Sequence, residues 1–135
     1  MDKLNSNSSR RKPLIALTVV GAIVVLFAGL LSIMPKGFST SHEQIGTGKP
    51  AIVFVYDPGL AVSNSQTEQM NEARDQMGDQ AYFLIARVGT PEGEQFIAQY
   101  RANSAELFVF DSEGNLVSRQ YAVAGAGQIN QWLQM

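Results

Sequence analysis

The pattern of hydrophobic and polar positions divides this chain into two unlike parts. Positions 13–34 read PLIALTVVGAIVVLFAGLLSIM, which is 22 residues without a charge, and Arg10-Arg11-Lys12 come directly before them. A helix needs about 20 apolar residues to cross the ~30 Å hydrocarbon core of a bilayer. The pattern therefore predicts a single transmembrane helix at 13–34, preceded by a basic tail at 1–12.

The basic residues also predict the orientation of this helix. Four of them lie before it, whereas only Lys36 and Lys49 lie close after it. The positive-inside rule then places residues 1–12 in the cytoplasm and the rest of the chain outside. A cleaved signal peptide is the alternative, but its apolar region is about 7–15 residues long and ends at a small-x-small site. We therefore expect a signal anchor in the inner (cytoplasmic) membrane of a bacterium, with a periplasmic C-terminal domain.

Residues 35–49, PKGFSTSHEQIGTGK, combine glycine, serine and threonine with little apolar periodicity. This composition predicts a flexible linker. Residues 50–135 remain, and their length suits one small domain with a single core.

The domain alternates apolar runs with amphipathic segments. The unbroken run AIVFVY at 51–56 predicts a strand covered on both faces. Ser65 and Glu68 form a capping-box pattern, which predicts a helix from there to about Met77. Thr90-Pro91 predicts the start of a second helix. The other predicted elements are strands at 81–88, 107–110 and 116–123, a hairpin turn at 111–115 and a last helix at 128–135.

The resulting order is β-α-β-α-β-β-α. The two strand–helix–strand steps favour parallel pairing with right-handed crossovers. The turn around Gly114 requires an antiparallel hairpin. We therefore predict an α/β sandwich in which helices flank a four-stranded mixed sheet.

Charge and cysteine content exclude several kinds of function. From Pro35 onward there are 6 Lys and Arg against 11 Asp and Glu, a net charge of −5, and no basic stripe. This argues against nucleic-acid binding, which needs clustered cations. The chain has no cysteine, so disulfides, thiol chemistry and thiolate-ligated metals are excluded. The acidic residues show no metal-ligand spacing, and we expect no metal and no cofactor.

The order of elements, their spacing, the D-x-x-G-N hairpin and the final Q-W-L helix resemble a thioredoxin-like domain. The resemblance covers residues 50–135 and implies that fold. Thioredoxins carry C-x-x-C at the start of the first long helix, where the helix dipole lowers a thiol pKa. Here one alignment places Leu60 and Ser63 at the cysteine positions, and a shift by three places Ser63 and Gln66 there.

Two other functional positions of the family also differ. Ala105 stands in place of the cis-proline before the third strand, so we expect a trans peptide bond there. The buried acid of thioredoxins falls near Phe54. The resemblance therefore implies a thioredoxin-like domain without redox chemistry, and we predict no catalytic residue.

One enzymatic alternative stays open. Relatives in the wider superfamily use a serine hydroxyl near this helix start, so Ser63 is the candidate for a glutathione- or peroxide-handling enzyme. A nucleophilic serine needs a base within hydrogen-bond reach. The single histidine, His42, falls in the predicted linker, where we expect it to be solvated.

We therefore predict a membrane-held binding module for an envelope protein or an extended peptide, as an accessory of a secretion or conjugation assembly. Small residues on one face of the membrane helix, Thr18, Ala22 and Gly29, make self-association a further possibility. The predicted binding surface is the former active-site face, which includes the turn at 125–127. Its predicted residues are Asp57, Pro58, Leu60, Ser63, Gln66, Ser104, Ala105 and Glu106.

Overall fold

The computed structural model describes residues 8–33 and 37–135, which fall into two units on either side of residue 36. Before that point lies one helix, α1 (Ser8–Ile33). Among the residues described, no helix has both the length and the hydropathy for crossing a membrane. The first part of the predicted basic tail, residues 1–7, lies outside the described residues. So do residues 34–36, where the predicted anchor meets the predicted linker.

The second unit is built on a four-stranded mixed sheet with the strand order β2-β1-β3-β4. Its strands are β1 (Ala51–Tyr56), β2 (Tyr82–Arg87), β3 (Glu106–Phe110) and β4 (Leu116–Tyr121). β1 pairs with β2 in parallel, whereas β1 with β3 and β3 with β4 are antiparallel. The predicted element order and the four-stranded mixed sheet are confirmed.

The second strand–helix–strand step does not give parallel neighbours, and in this respect the prediction was wrong. The helix between β2 and β3 has only 10 residues, about 15 Å. After this helix the chain comes back to the end of the sheet where β1 and β2 finish. The hydrogen bond from the N–H of Ala105 to the carbonyl of Val55, near the end of β1, shows this (3.0 Å). β3 must therefore run back antiparallel to β1.

Helix α2 (Ala61–Met77) begins earlier than the predicted capping box at Ser65. Leu60 is its N-cap residue and makes no side-chain cap hydrogen bond. The buried residues of this helix recur at helical spacing, but the first two are polar, which hides the apolar periodicity from sequence analysis. They are Ser63, Gln66, Met70, Ala73 and Met77.

Helix α3 (Pro91–Tyr100) begins as predicted, with Thr90 accepting a hydrogen bond from the N–H of Gly93 (3.2 Å). Gly93 lies so close to the backbone of Arg87 that a β-carbon there would overlap it. Helix α4 (Ala126–Leu133) starts two residues before the predicted position.

The core has two layers, one on each face of the sheet. The first layer includes Ile52, Phe54 and Leu107 with the inner faces of α2 and α4. The second includes Val53, Val55 and Phe108 with Phe96 of α3. Ile97 and Tyr100 of α3 also pack on this second layer.

Residues 37–49 do not form the predicted flexible linker. We call this segment the strap, because it packs along the sheet. The carbonyl of Ser39 accepts a hydrogen bond from the N–H of Ile85 at the edge of β2 (3.0 Å). Phe38 packs on the first core layer and Ile45 on the second. Two large apolar side chains in a glycine- and serine-rich segment are enough to dock it.

The predicted turn between β3 and β4 is held by Asp111. Its carboxylate accepts hydrogen bonds from the N–H of Asn115 (2.9 Å) and of Glu113 (3.0 Å). These bonds, the one from the Asn115 backbone above all, lower the pKa of Asp111 below its ordinary value, because they stabilise the charged form.

Candidate functional site at the carboxyl end of β1

Three segments meet at the end of the sheet where β1 and β4 finish. They are the β1–α2 loop, the loop before β3 and the segment between β4 and α4. This juxtaposition follows from the topology, because β4 runs parallel to β1 in this sheet. All of the predicted binding residues lie in these segments or directly beside them. The predicted face is therefore brought together, although its residues differ in accessibility.

Asp57 links two of the three segments. One carboxylate oxygen accepts from the N–H of Gly59 (2.9 Å) and the other from the hydroxyl of Ser104 (2.9 Å). The N–H of Asp57 donates to the hydroxyl oxygen of Ser63 (3.1 Å). Asp57 is half-buried, and its hydrogen bond with Ser104 connects the β1–α2 loop to the loop before β3.

Ser63 is buried in the first turn of α2, whose N-cap residue is Leu60. Its hydroxyl oxygen is occupied by the hydrogen bond from the N–H of Asp57. The contacts of His42 are with other residues. Its ring packs on Phe96, with the centroids 4.9 Å apart, and its Nε2 lies 3.2 Å from the carbonyl oxygen of Ile85. The expectation of a solvated His42 was therefore wrong.

Gln66 is also buried, and it forms two hydrogen bonds with the segment that follows β4. Its amide nitrogen donates to the carbonyl of Ala124 (3.0 Å), and its amide oxygen accepts from the N–H of Ala124 (2.7 Å). One turn later, Gln69 accepts from the N–H of Ala126 (3.0 Å). The two glutamines therefore fix the segment that leads from β4 into α4.

Ala105, which the resemblance to thioredoxins places at the family's proline, has a left-handed backbone with φ of 67°. The peptide bond before it is trans, as expected for alanine, and the cis bond within the described residues joins Ala122 and Val123. The N–H of Ala105 donates to Val55 (3.0 Å) and its carbonyl accepts from Ala122 (2.8 Å). Hydrogen bonds on both sides thus hold a conformation that costs an L-residue about 1–2 kcal/mol.

Glu106 is only 4% exposed and is engaged inside the domain. Its carboxylate forms an ion pair with Arg119 (3.0 Å) and accepts from the N–H of Asn103 (2.8 Å). The Arg119 guanidinium lies over the ring of Phe108 at 4.6 Å. Through these contacts, β4 holds the loop that precedes β3.

The exposed residues of the face include apolar ones. Leu60 is 40% exposed and Val123 52% exposed, and Pro58 and Gly59 are also exposed. Val123 was not in the predicted set, because the sequence placed it inside the fourth strand. The strand ends two residues earlier, at Tyr121. That position leaves Val123 on the surface beside the clamped Ala124.

A second concavity lies away from this face. A groove of about 690 Å³ runs between the strap, α3 and the β3–β4 turn, and its lining includes His42, Glu43, Glu92, Phe96 and Glu113. Sequence analysis missed this groove because the strap, which forms one of its sides, was predicted to be a flexible linker. Within the described part of the chain, no group of three His, Asp or Glu residues is placed to hold a metal ion.

Comparison with solved structures identifies the fold. The chain is similar to Trxlp from Edwardsiella tarda (TM-score 0.58, 17% identity, covering 69% of this chain and 89% of the other). It is also similar to an uncharacterized thioredoxin-like protein from Clostridium perfringens (TM-score 0.59, 16% identity, 64% and 70%). A third similar structure is the exposed lipoprotein thioredoxin of Streptococcus pneumoniae (TM-score 0.58, 15% identity, 66% and 86%). No family model and no curated protein matches the sequence.

The fold and the site together define the class. Residues 37–135 have a thioredoxin-like α/β fold with a four-stranded mixed sheet. Neither Leu60 with Ser63 nor Ser63 with Gln66 can supply a thiol, because the whole chain contains no cysteine. This is a thioredoxin-like domain that lacks the C-x-x-C motif and is consistent with a redox-inactive module.

Proposed function

We propose that this protein is a membrane-held, non-catalytic binding module of the bacterial cell envelope. It binds a protein or an extended peptide through the former active-site face. The observation that carries the proposal is the construction of that face. Asp57 joins the β1–α2 loop to the loop before β3, Gln66 joins α2 to the segment after β4, and Glu106 joins the loop before β3 to β4 through Arg119. Apolar side chains remain exposed beside these contacts, at Leu60 and at Val123. Rigid, apolar and preorganised surfaces favour binding because little conformational entropy is lost on association.

Membrane attachment is supported by the sequence. The uncharged run at 13–34 and the basic residues before it fit a signal anchor with its N-terminus in the cytoplasm. The domain then lies in the periplasm. A role as an accessory of a secretion or conjugation assembly fits the small domain and the single anchor.

We do not propose an enzyme that uses Ser63. The Ser63 side chain is buried, its oxygen accepts a backbone hydrogen bond, and the ring of His42 is engaged with Phe96 and Ile85. Ser63→Ala separates the two hypotheses, because a binding module retains its partner whereas an enzyme of this kind loses its activity.

The direct test is photocrosslinking of the full chain in intact bacteria. A photoreactive phenylalanine analogue at position 60 is expected to give a discrete adduct with a partner, since this position lies on the exposed apolar surface. The matched control is the same analogue at Glu72, an exposed position on α2. Equal adducts at both positions, or none at position 60, would contradict the proposal.

The adduct then provides a quantitative assay. Leu60→Asp is expected to weaken capture of the same partner by about tenfold or more, because it places a charge in an apolar contact. Met135→Asp, which changes another exposed apolar side chain at the far end of the chain, is expected to leave capture unchanged.

A further inference from the structure

The groove between the strap, α3 and the β3–β4 turn is separate from the surface used in the proposed function. It lies on the same side of the sheet as α3, and none of its lining residues belongs to the former active-site face. Its volume of about 690 Å³ is within the range of ~300–1,000 Å³ that is typical of ligand sites. Most of the lining residues are exposed, so a ligand reaches the groove directly from solvent.

The charged side chains of the groove are all negative. Glu43 lies on the strap, Glu92 in the first turn of α3 and Glu113 in the β3–β4 turn. Within residues 37–135, no lysine or arginine lines the groove, and none of these three carboxylates has a hydrogen-bond or ion-pair partner. Negative charges around a concave surface focus the electrostatic potential there and attract cations.

The base of the groove is aromatic. The ring of Phe96 contacts the rings of His42 and Tyr100, with centroids 4.9 Å and 4.7 Å apart. His42 and Tyr100 are half-buried, so part of each side chain remains accessible from the groove. Aromatic faces attract cations independently of carboxylates. The groove therefore combines two features that each favour a positively charged ligand.

Backbone contacts hold two sides of the groove together. The N–H of Gly48 on the strap donates to the carbonyl of Ser112 in the β3–β4 turn (3.1 Å). Gly46 lies so close to this turn that a β-carbon on it would be 3.0 Å from the carbonyl oxygen of Glu113. Glu43 and Glu113 are thus carried by segments that are fixed to each other. A preorganised site loses little conformational entropy when it binds a ligand.

The spacing of the carboxylates selects the kind of cation. Within the described part of the chain, no group of three acidic or histidine side chains is placed to hold a metal ion, so the three glutamates do not converge on one point. An extended ligand with several positive groups reaches all three sides of the groove. Arginine suits this site better than lysine, because its planar guanidinium pairs with carboxylates and also stacks on aromatic rings.

We propose that this groove binds an extended peptide segment of a partner protein that carries two or more arginines. The guanidinium groups pair with Glu43, Glu92 and Glu113, and one of them stacks on the aromatic base. This proposal goes beyond the proposed function and does not depend on it, because the groove and the former active-site face share no residue.

Fluorescence anisotropy with the full chain in micelles of an uncharged detergent tests this binding. The probe is a fluorescein-labelled peptide in which three arginines alternate with serine. Two matched probes carry citrulline, which has nearly the shape of arginine without its charge, or lysine in the same places. The arginine peptide is expected to bind about tenfold more tightly than the citrulline peptide and about threefold more tightly than the lysine peptide.

A triple variant locates the site. It removes the charge of the three groove carboxylates through Glu43→Gln, Glu92→Gln and Glu113→Gln. This variant is expected to bind the arginine peptide about tenfold more weakly than the wild type, because the guanidinium groups lose their charged partners. The single variant Glu113→Gln, outside any helix, is expected to lose about threefold.

The matched control has the same change in net charge at a different place. It alters three exposed carboxylates of α2, the helix that packs on the other face of the sheet, through Glu68→Gln, Glu72→Gln and Asp75→Asn. This control is expected to bind the arginine peptide within about twofold of the wild type, since distant exposed charges are screened by salt. Circular dichroism melting verifies that each variant is folded.

Three outcomes would overturn the proposal. The first is equal binding of the arginine peptide and either of the two matched peptides. The second is an equal loss of binding in the two triple variants, which would show that net charge alone attracts the peptide. The third is displacement of the probe by spermidine as effective as that by the unlabelled arginine peptide, which would show that the groove takes a diffusible polyamine. None of these outcomes bears on the adduct at position 60, so the two proposals fail independently.

Discussion

Single residues decide whether the former active-site face keeps the geometry of a thioredoxin. Proline would fix φ near −65° and would lack an N–H group. Ala105 instead has φ of 67° and donates its N–H to Val55. The backbone at this position is therefore supported by a hydrogen bond that proline cannot donate.

Restoring the family's proline is consequently expected to harm the protein. Ala105→Pro should lower the free energy of unfolding by about 3 kcal/mol or more, because it forces a change in φ and removes a hydrogen bond. Urea denaturation measures this change. The control is Ala105→Gly, which tolerates positive φ and should remain within about 1 kcal/mol of the wild type. A proline variant as stable as the glycine variant would contradict this account.

At the scale of elements, the strap is the largest departure from the sequence prediction. Phe38 packs on the first core layer, and the Arg74 guanidinium lies over its ring at 4.3 Å. Ser39 and His42 contact the β2 edge through Ile85. A flexible linker would contribute nothing to stability, whereas a docked strap must contribute.

Removing the Phe38 side chain tests this contribution. Phe38→Ala should lower the free energy of unfolding by about 1–2 kcal/mol, less than the 3–5 kcal/mol typical of a fully buried phenylalanine, because Phe38 is only half-buried. Chemical denaturation of the full chain measures the change. Thr40→Ala, at an exposed position of the strap, is expected to have no effect. Equal stability of the Phe38 variant and the wild type would restore the linker interpretation.

The β3–β4 turn should make a pH-dependent contribution to stability. The pKa of Asp111 is lower in the folded chain than its ordinary value, because the N–H of Asn115 and its neighbours stabilise the carboxylate. The sign of the effect follows from linkage: the contribution is fully present above the ordinary pKa and is lost as the pH falls through the folded-state pKa.

Asp111→Asn tests this dependence. The difference in urea midpoint between wild type and variant should be constant from about pH 7 to 5 and should shrink below about pH 4. Ser112→Ala in the same turn should show a difference that does not vary with pH. A gap that widens towards acid would show that the carboxylate is not the stabilising form.

The elements themselves were largely predictable. The apolar run of β1, the proline at the start of α3 and the glycine turn before β4 each carry a local signal, and each prediction is confirmed. The start of α2 was missed because Ser63 and Gln66 interrupt the apolar periodicity on its buried face. Their partners, the N–H of Asp57 and the backbone of Ala124, cannot be inferred from helix propensity.

For the molecule as a whole, the predicted site residues lie at one end of the sheet but differ in their contacts and accessibility. Asp57, Gln66 and Glu106 are engaged inside the domain, and Leu60 with the unpredicted Val123 remains accessible. This face offers no thiol, because the chain contains no cysteine. Which residues a partner contacts stays a prediction.

Membrane attachment is a prediction that concerns the whole molecule. The full chain is expected to remain in the membrane fraction after carbonate extraction, because an apolar run of 22 residues anchors far more strongly than surface contacts do. A variant that lacks residues 13–34 should be released, and it serves as the control. Release of the full chain by carbonate would contradict the anchor.

Local periodicity in the sequence is enough to predict the strands and the order of elements, and the lack of cysteine is enough to exclude thiol chemistry. The tertiary structure alone decided the direction of β3, the docking of the strap and the inward orientation of the polar residues at the site. These depend on contacts between residues far apart in the chain, such as Asp57 with Ser104 and Gln66 with Ala124. No local pattern encodes such pairs, since they form only once the sheet has brought its ends together.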